Sequence, residues 1–197
     1  IKGVTDIVLI NDSSFNAFVN GRSIYINTGT IMASGSPNEV IGVLAHEIGH
    51  LAGGHQERLR QKLESAGRMA TIAGLVGMGA AVAGSASGNG DAGKAGAGIA
   101  AGAQEMARRS ILAYQRTEEI TADRSAVVYL DKTGQSARGM LITFQRFQTS
   151  LALSGTKVDP YKISHPLPRE RIANLEDLAQ KSPNFGKADS PALQTRH

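Results

Sequence analysis

Apolar residues come first in short runs and then at helical spacing, so the chain reads as a small β region followed by helices. TDIVLI, at residues 5–10, is a short apolar run, and FNAFVNGRSIYI places Asn20-Gly21 between two segments of strand composition. Asn-Gly is the favoured two-residue hairpin turn, because both positions need positive φ. Strands are predicted near 4–10, 15–19 and 22–27. Ser36-Pro37-Asn38-Glu39 then marks a helix start, with Ser at the N-cap, Pro at the first helical position and Glu at the third, the pattern of a capping box. Ile41, Leu44, Ile48 and Leu51 follow at helical spacing and predict one buried face on a helix from 37 to about 53, where Gly53-Gly54 weakens it. A polar helical stretch at 55–65 comes next. Further helices are predicted at about 104–132, 136–153 and 168–180, and the tail from Ser182 reads as frayed. The fold class is α+β, mainly helical, with a small N-terminal β-sheet.

Residues 66–103 break this pattern. They are rich in Gly, Ala and Ser, and no charge occurs between Arg68 and Asp91. That length matches a bilayer crossing, but large apolar residues are few and glycines weaken the helix. A close-packed helical hairpin turning near Ser87–Gly93 is the favoured reading. A mobile flap and a peripheral membrane contact through 66–103 are the alternatives.

The 197 residues are enough for one domain with this excursion. Apolar residues make up 41% and charged residues 19%, which places the chain among globular proteins. The net charge of +4 comes from scattered Lys and Arg and argues against a nucleic-acid partner. With no cysteine, thiolate zinc sites, disulfides and thiol nucleophiles are excluded. The first residue is Ile, consistent with a leader already removed.

The chemistry concentrates in His46-Glu47-Ile48-Gly49-His50, an HExxH motif inside the capped helix. Residues four apart share a helix face, so both imidazoles can reach one ion. Glu47 stands about 100° round the helix, placed to address a water beside the metal. In zinc sites of this kind the Glu takes a proton from a water whose pKa the metal lowers to ~7. A catalytic zinc takes three protein ligands. A third His at the metzincin position is excluded, because position 56 is Gln. His55 is one residue early, which is about 100° of helix, so it is expected to point elsewhere. The alternative is a carboxylate from a second helix. In Glu119-Ile120-Thr121-Ala122-Asp123, Glu119 and Asp123 share a face, so that Glu119 can bind zinc while Asp123 accepts a hydrogen bond from a ligand imidazole. Small Ala122 leaves room for the helices to close. Glu118 is the rival, without the i+4 partner.

HEIGH with a downstream E-x-x-A-D resembles the integral-membrane and periplasmic zinc peptidases related to HtpX, BepA and the CAAX prenyl protease. NAF at Asn16–Phe18 with IYINTG at Ile24–Gly29, the Gly54-His55 pair, and SHPLPRERI at Ser164–Ile172 are similar too. Together these pieces run from residue 16 to residue 172. The resemblance implies a gluzincin-type fold and proteolysis of polypeptides, with His46, His50 and Glu119 as zinc ligands and Glu47 as base. It also implies that Asn16, Ala17 and Phe18 form the edge on which a substrate polypeptide lies as an added strand. Strongly apolar spans like those of the membrane branches are lacking, which favours the soluble branch of the bacterial periplasm or cell envelope. The expected activity is cleavage of unfolded or misassembled envelope proteins, with a mostly latent, chaperone-like assembly factor as the rival. His165 has two functional readings: a fourth ligand that keeps the enzyme latent, or a donor to the tetrahedral oxyanion, with Arg169 or Arg171 as charge partners. A plain loop histidine is the third.

Overall fold

The computed structural model describes residues 6–88, 90–153, 165–166 and 169–197. Strands β1 (Asp6–Ile10), β2 (Ala17–Asn20) and β3 (Ser23–Asn27) form a sheet in the order β1-β3-β2. β1 runs parallel to β3, from Asp6 opposite Ser23 to Ile10 opposite Asn27, and β2 runs antiparallel to it, from Ala17 opposite Ile26 to Asn20 opposite Ser23. The hairpin therefore turns on Gly21-Arg22, one residue later than Asn20-Gly21. Gly21 alone adopts positive φ, 60°, as a II′ turn with glycine first requires. β2 is left at the edge of the sheet and lies against the next long helix.

Seven helices follow among the described residues: α1 (Thr28–Ala33), α2 (Pro37–Gly53), α3 (His55–Ala86), α4 (Gly90–Lys132), α5 (Arg138–Leu153), α6 (Arg169–Gln180) and α7 (Pro191–Arg196). The hydrophobic pattern gives no sign of α1. Across the Gly/Ala-rich segment, α3 carries the polar stretch at 55–65 on to Ala86, and α4 starts at Gly90 and runs into the helix expected from about 104. The tail is not frayed. Asp189 accepts the Asn38 backbone N–H at 3.3 Å, Ser190 caps α7, and His197 contacts the Ser34 carbonyl at 3.0 Å.

The start of α2 is stabilised differently from a capping box. Pro37 sits in the first turn as expected, yet the Ser36 side chain makes no cap bond. Glu39 instead accepts the Gly35 N–H at 3.1 Å and pairs with Arg146 of α5 at 2.7 Å. The most buried face of α2 also differs from the Ile/Leu stripe. Val43, Ala45, His46, Glu47, Gly42 and Gly49 are buried, whereas Ile41, Leu44, Ile48 and Leu51 are only half-buried. Small residues win because α2 is crowded on two sides. A Cβ on Gly42 would stand 2.8 Å from Met140 of α5, and one on Gly49 would stand 2.7 Å from Ala122 of α4. The core around these contacts joins Val43, Leu130, Met140, Phe144, Ile172 and Leu175.

The chain divides into two compact units, residues 1–56 with 118–197, and residues 57–117. The second is a helical hairpin whose backbones approach closely: a Cβ on Gly77 would meet the Gly96 carbonyl at 2.5 Å. Arg58 donates to the Tyr114 hydroxyl at 3.2 Å within it. Helix α3 is long and apolar enough to cross a membrane by length and composition, with Met69, Ile72, Leu75, Met78 and Val82 exposed.

Candidate metal centre

Helix α2 places His46 and His50 one turn apart, with their Nε2 atoms 3.0 Å from each other. Helix α4 brings in Glu119, whose two carboxylate oxygens stand 3.3 Å from His46 Nε2 and 3.3 Å from His50 Nε2. His165 joins them from outside the helices. Its Nδ1 is 3.2 Å from Glu119 Oε1 and 3.3 Å from His46 Nε2. One donor atom from each of these four residues lies within 4.8 Å of the others. Glu47 is 1% exposed, and its carboxylate stands 3.4 Å from His165 Nε2.

The outward nitrogens of the two helix imidazoles are both engaged. His46 Nδ1 lies 2.9 Å from Asp123 Oδ1, and His50 Nδ1 lies 2.9 Å from His55 Nδ1. An Nδ1–H donating outward leaves the Nε2 lone pair facing inward. Two inward lone pairs 3.0 Å apart repel unless a cation or a proton lies between them. Two nitrogens and a carboxylate oxygen are the donor set a zinc ion accepts. The residues present therefore fit a metal ion.

Burial disfavours the His46 cation, yet its contacts with Asp123 and Glu119 outweigh that and raise it to about 9. Burial lowers His50 to about 4. Burial opposes ionisation of Glu119 as well, but hydrogen bonds from His165, His46 and His50 hold its carboxyl well below the usual range. Burial raises Glu47, which suits a proton acceptor.

A buried guanidinium closes the centre from α6. Arg171 is 1% exposed. It donates to Asp123 from Nε at 2.5 Å and from Nη2 at 2.9 Å, and it contacts Glu119 from Nη1 at 2.6 Å. The same Nη1 donates to the Pro166 carbonyl at 3.0 Å, next to His165, and the guanidinium stacks 4.8 Å over Phe144. Buried carboxylates need such a partner, and a planar guanidinium serves both at once. Asp123 is lowered accordingly, against the effect of its burial. Of the two arginines expected as charge partners, Arg171 is in the site. Arg169 is exposed at the start of α6.

His46, His50, Glu47, Glu119, Asp123 and His165 come together. Glu118 stands outside the donor cluster, 2.5 Å from His55 Nε2. His55 does not point away, as a continuous helix would require. Gly54 adopts φ 64° and ends α2, and the new helix starts with the His55 ring against His50. Gly53-Gly54 was the available signal for that break. Ala17 and Phe18 lie in β2 with Asn16 just before it, and the Phe18 ring stacks on Tyr25 at 5.1 Å. In the hairpin closed by Asn20 and Ser23, the backbone groups of Ala17 and Val19 point to the open edge. The Gln56 side chain donates to the Val19 carbonyl there. Most of the DPYKISHPLP loop lies outside the described residues.

A helix that carries two inward histidines and a buried Glu, closed by a carboxylate from a second helix beside a small sheet, is the frame of a gluzincin-type metallopeptidase domain. The chain belongs to peptidase family M48, whose family model matches residues 2–179. It is 31% identical over 189 residues to a putative beta-barrel assembly-enhancing protease of Vibrio cholerae serotype O1, covering 93% of this chain and 36% of that protein. The beta-barrel assembly-enhancing protease of Escherichia coli K12 is 25% identical over 182 residues, covering 92% of this chain and 36% of that one. A protease HtpX homolog of Acidiphilium cryptum is 29% identical over 203 residues, covering 88% and 68% respectively. The chain thus spans about a third of the length of the first two relatives.

Proposed function

We propose that this protein is a zinc-dependent endopeptidase that cleaves unfolded or misassembled proteins of the bacterial periplasm or cell envelope. His46, His50 and Glu119 are its metal ligands and Glu47 is its base. The observation that carries this reading is the convergence of three donor groups beside a buried carboxylate of raised pKa. When bound, zinc supplies Lewis-acid activation of water and of the scissile carbonyl. Glu47 accepts the proton of the attacking water and passes it to the departing amine nitrogen. Asp123 fixes the His46 tautomer, and Arg171 compensates the charge of Asp123 and Glu119. The open edge of β2, at Asn16, Ala17 and Phe18, takes substrate as an added strand, using backbone groups that any polypeptide offers. The envelope setting is supported by the names of the relatives.

His165 supports a second reading, a mostly latent, chaperone-like assembly factor. Its Nδ1 stands within reach of the same centre as the other three donors, so it serves as a fourth ligand that withholds the open position. The two readings separate in one experiment, digestion of casein and of an unfolded envelope protein with and without a chelator. The endopeptidase reading expects cleavage that the chelator stops and added zinc restores. Zinc binding without turnover on any unfolded substrate would leave the assembly-factor reading.

A further inference from the structure

We propose that His55 and Glu118 form a two-residue relay that fixes the tautomer and orientation of His50, making His55 a positioning residue of the metal centre. The proposal rests on the reading of His50 as a ligand given above.

The two histidines of HExxH are held in different ways. His46 meets a carboxylate directly, Asp123, at 2.9 Å. His50 meets another imidazole. His55 Nδ1 is 2.9 Å from His50 Nδ1, with the rings perpendicular and their centroids 4.9 Å apart. The far nitrogen, His55 Nε2, is 2.5 Å from Glu118 Oε2. Donor and acceptor roles then follow in order. A carboxylate only accepts, so His55 Nε2 carries the hydrogen. In that tautomer Nδ1 is an acceptor, so His50 Nδ1 donates to it. His50 Nε2 is left with its lone pair toward the centre. A carboxylate thus orients each histidine of the motif, at one remove for His50.

The backbone is shaped for this contact. Gly54, at φ 64°, turns the chain so that the first residue of α3 lies over the end of α2. The His55 ring occupies the space that a Cβ on Gly53 would take, so an alanine there would displace the ring. The ring is 4% exposed, with His50 against one nitrogen and Glu118 against the other. Adjacent acids divide the work: Glu119 enters the donor cluster, and Glu118 reaches His50 through His55.

The test is zinc affinity, measured by competition with a fluorescent chelator on the full chain. The variants are H50A, H55A, H55N, E118Q and G53A, each with cobalt absorption spectra and urea unfolding of the metal-free protein. The expected result is a loss of roughly 10–100-fold for H55A, the usual effect of removing an outer-shell partner. G53A should lose affinity too, although it keeps both polar groups. E118Q should lose less, and H55N should recover part of the loss, because its amide oxygen can accept from His50 Nδ1. The cobalt spectrum of H55A should keep the wild-type coordination number, whereas that of H50A should not. Wild-type affinity in both H55A and E118Q, beside a large loss in H50A, would overturn the relay and leave the metallopeptidase reading standing. Lower urea stability at unchanged affinity would overturn it in the same way. Absence of stoichiometric zinc in the wild type, or wild-type affinity in H50A, would overturn both. Should H55A fail to fold, E118Q decides alone, because it is isosteric.

Discussion

Gly49 and Ala122 touch backbone to backbone: a Cβ on Gly49 would stand 2.7 Å from the Ala122 carbonyl oxygen. This contact sets the distance at which α4 delivers Glu119 to the two histidines of α2. G49A should push the helices apart, destabilising the metal-free protein by about 1–3 kcal/mol, as overpacking does. It should also weaken zinc binding while every polar group remains. Urea unfolding and chelator competition check both effects. Unchanged zinc affinity would mean that the helix spacing does not govern the site.

E47Q should retain zinc and lose peptide hydrolysis. It removes the proton acceptor and keeps the shape of the side chain. Metal content and cleavage of an unfolded substrate are measured on one sample. Near-wild-type turnover would remove Glu47 from the role of base.

E119A should weaken zinc binding far more than E118A. The first removes a donor that stands 3.3 Å from both histidine Nε2 atoms, and the second removes a group that reaches His50 only through His55. Chelator competition on the two variants gives the order, and equal or reversed losses would refute the ligand assignment.

H165A should raise basal cleavage of an unfolded substrate, since it frees the position that the imidazole contests. The opposite sign has a definite meaning. A fall in kcat by roughly 10²–10³-fold is what loss of an oxyanion donor produces, and it would turn His165 from a latch into a transition-state contact. Initial rates with a quenched fluorescent substrate separate the two.

Metal binding should release about one proton near neutral pH, because ligation requires a neutral imidazole. His46, raised to about 9, is protonated in the metal-free protein at pH 7.5, whereas His50, lowered to about 4, is already neutral. Affinity should therefore rise about tenfold per pH unit through the neutral range and level off above about pH 9. Calorimetry in two buffers of different ionisation enthalpy counts the protons. A count of zero would mean that His46 is already neutral in the metal-free protein.

The sequence by itself settled whatever one helix can hold. His46, Glu47 and His50 lie within a single turn of α2, so their mutual geometry is fixed by helical rise and rotation, and Pro37 marks where that helix begins. The pairing of Glu119 with Asp123 was legible for the same reason. The family was legible because several such local pieces recur in one order.

Tertiary structure decided what depends on residues meeting across the chain. Arg171 reaches Asp123 over 48 positions, and nothing local distinguishes it from exposed Arg169. The Ile/Leu stripe on α2 gave way to Gly42 and Gly49 because two helices press on that face, which helical periodicity does not register. Glu39 left the capping box for Arg146, a charge supplied by another helix. His55 joined the centre because Gly54 takes a left-handed conformation, which ends the rotation by which a continuous helix would have carried the imidazole away. Periodicity describes one element at a time, whereas these positions were set by the close approach of several.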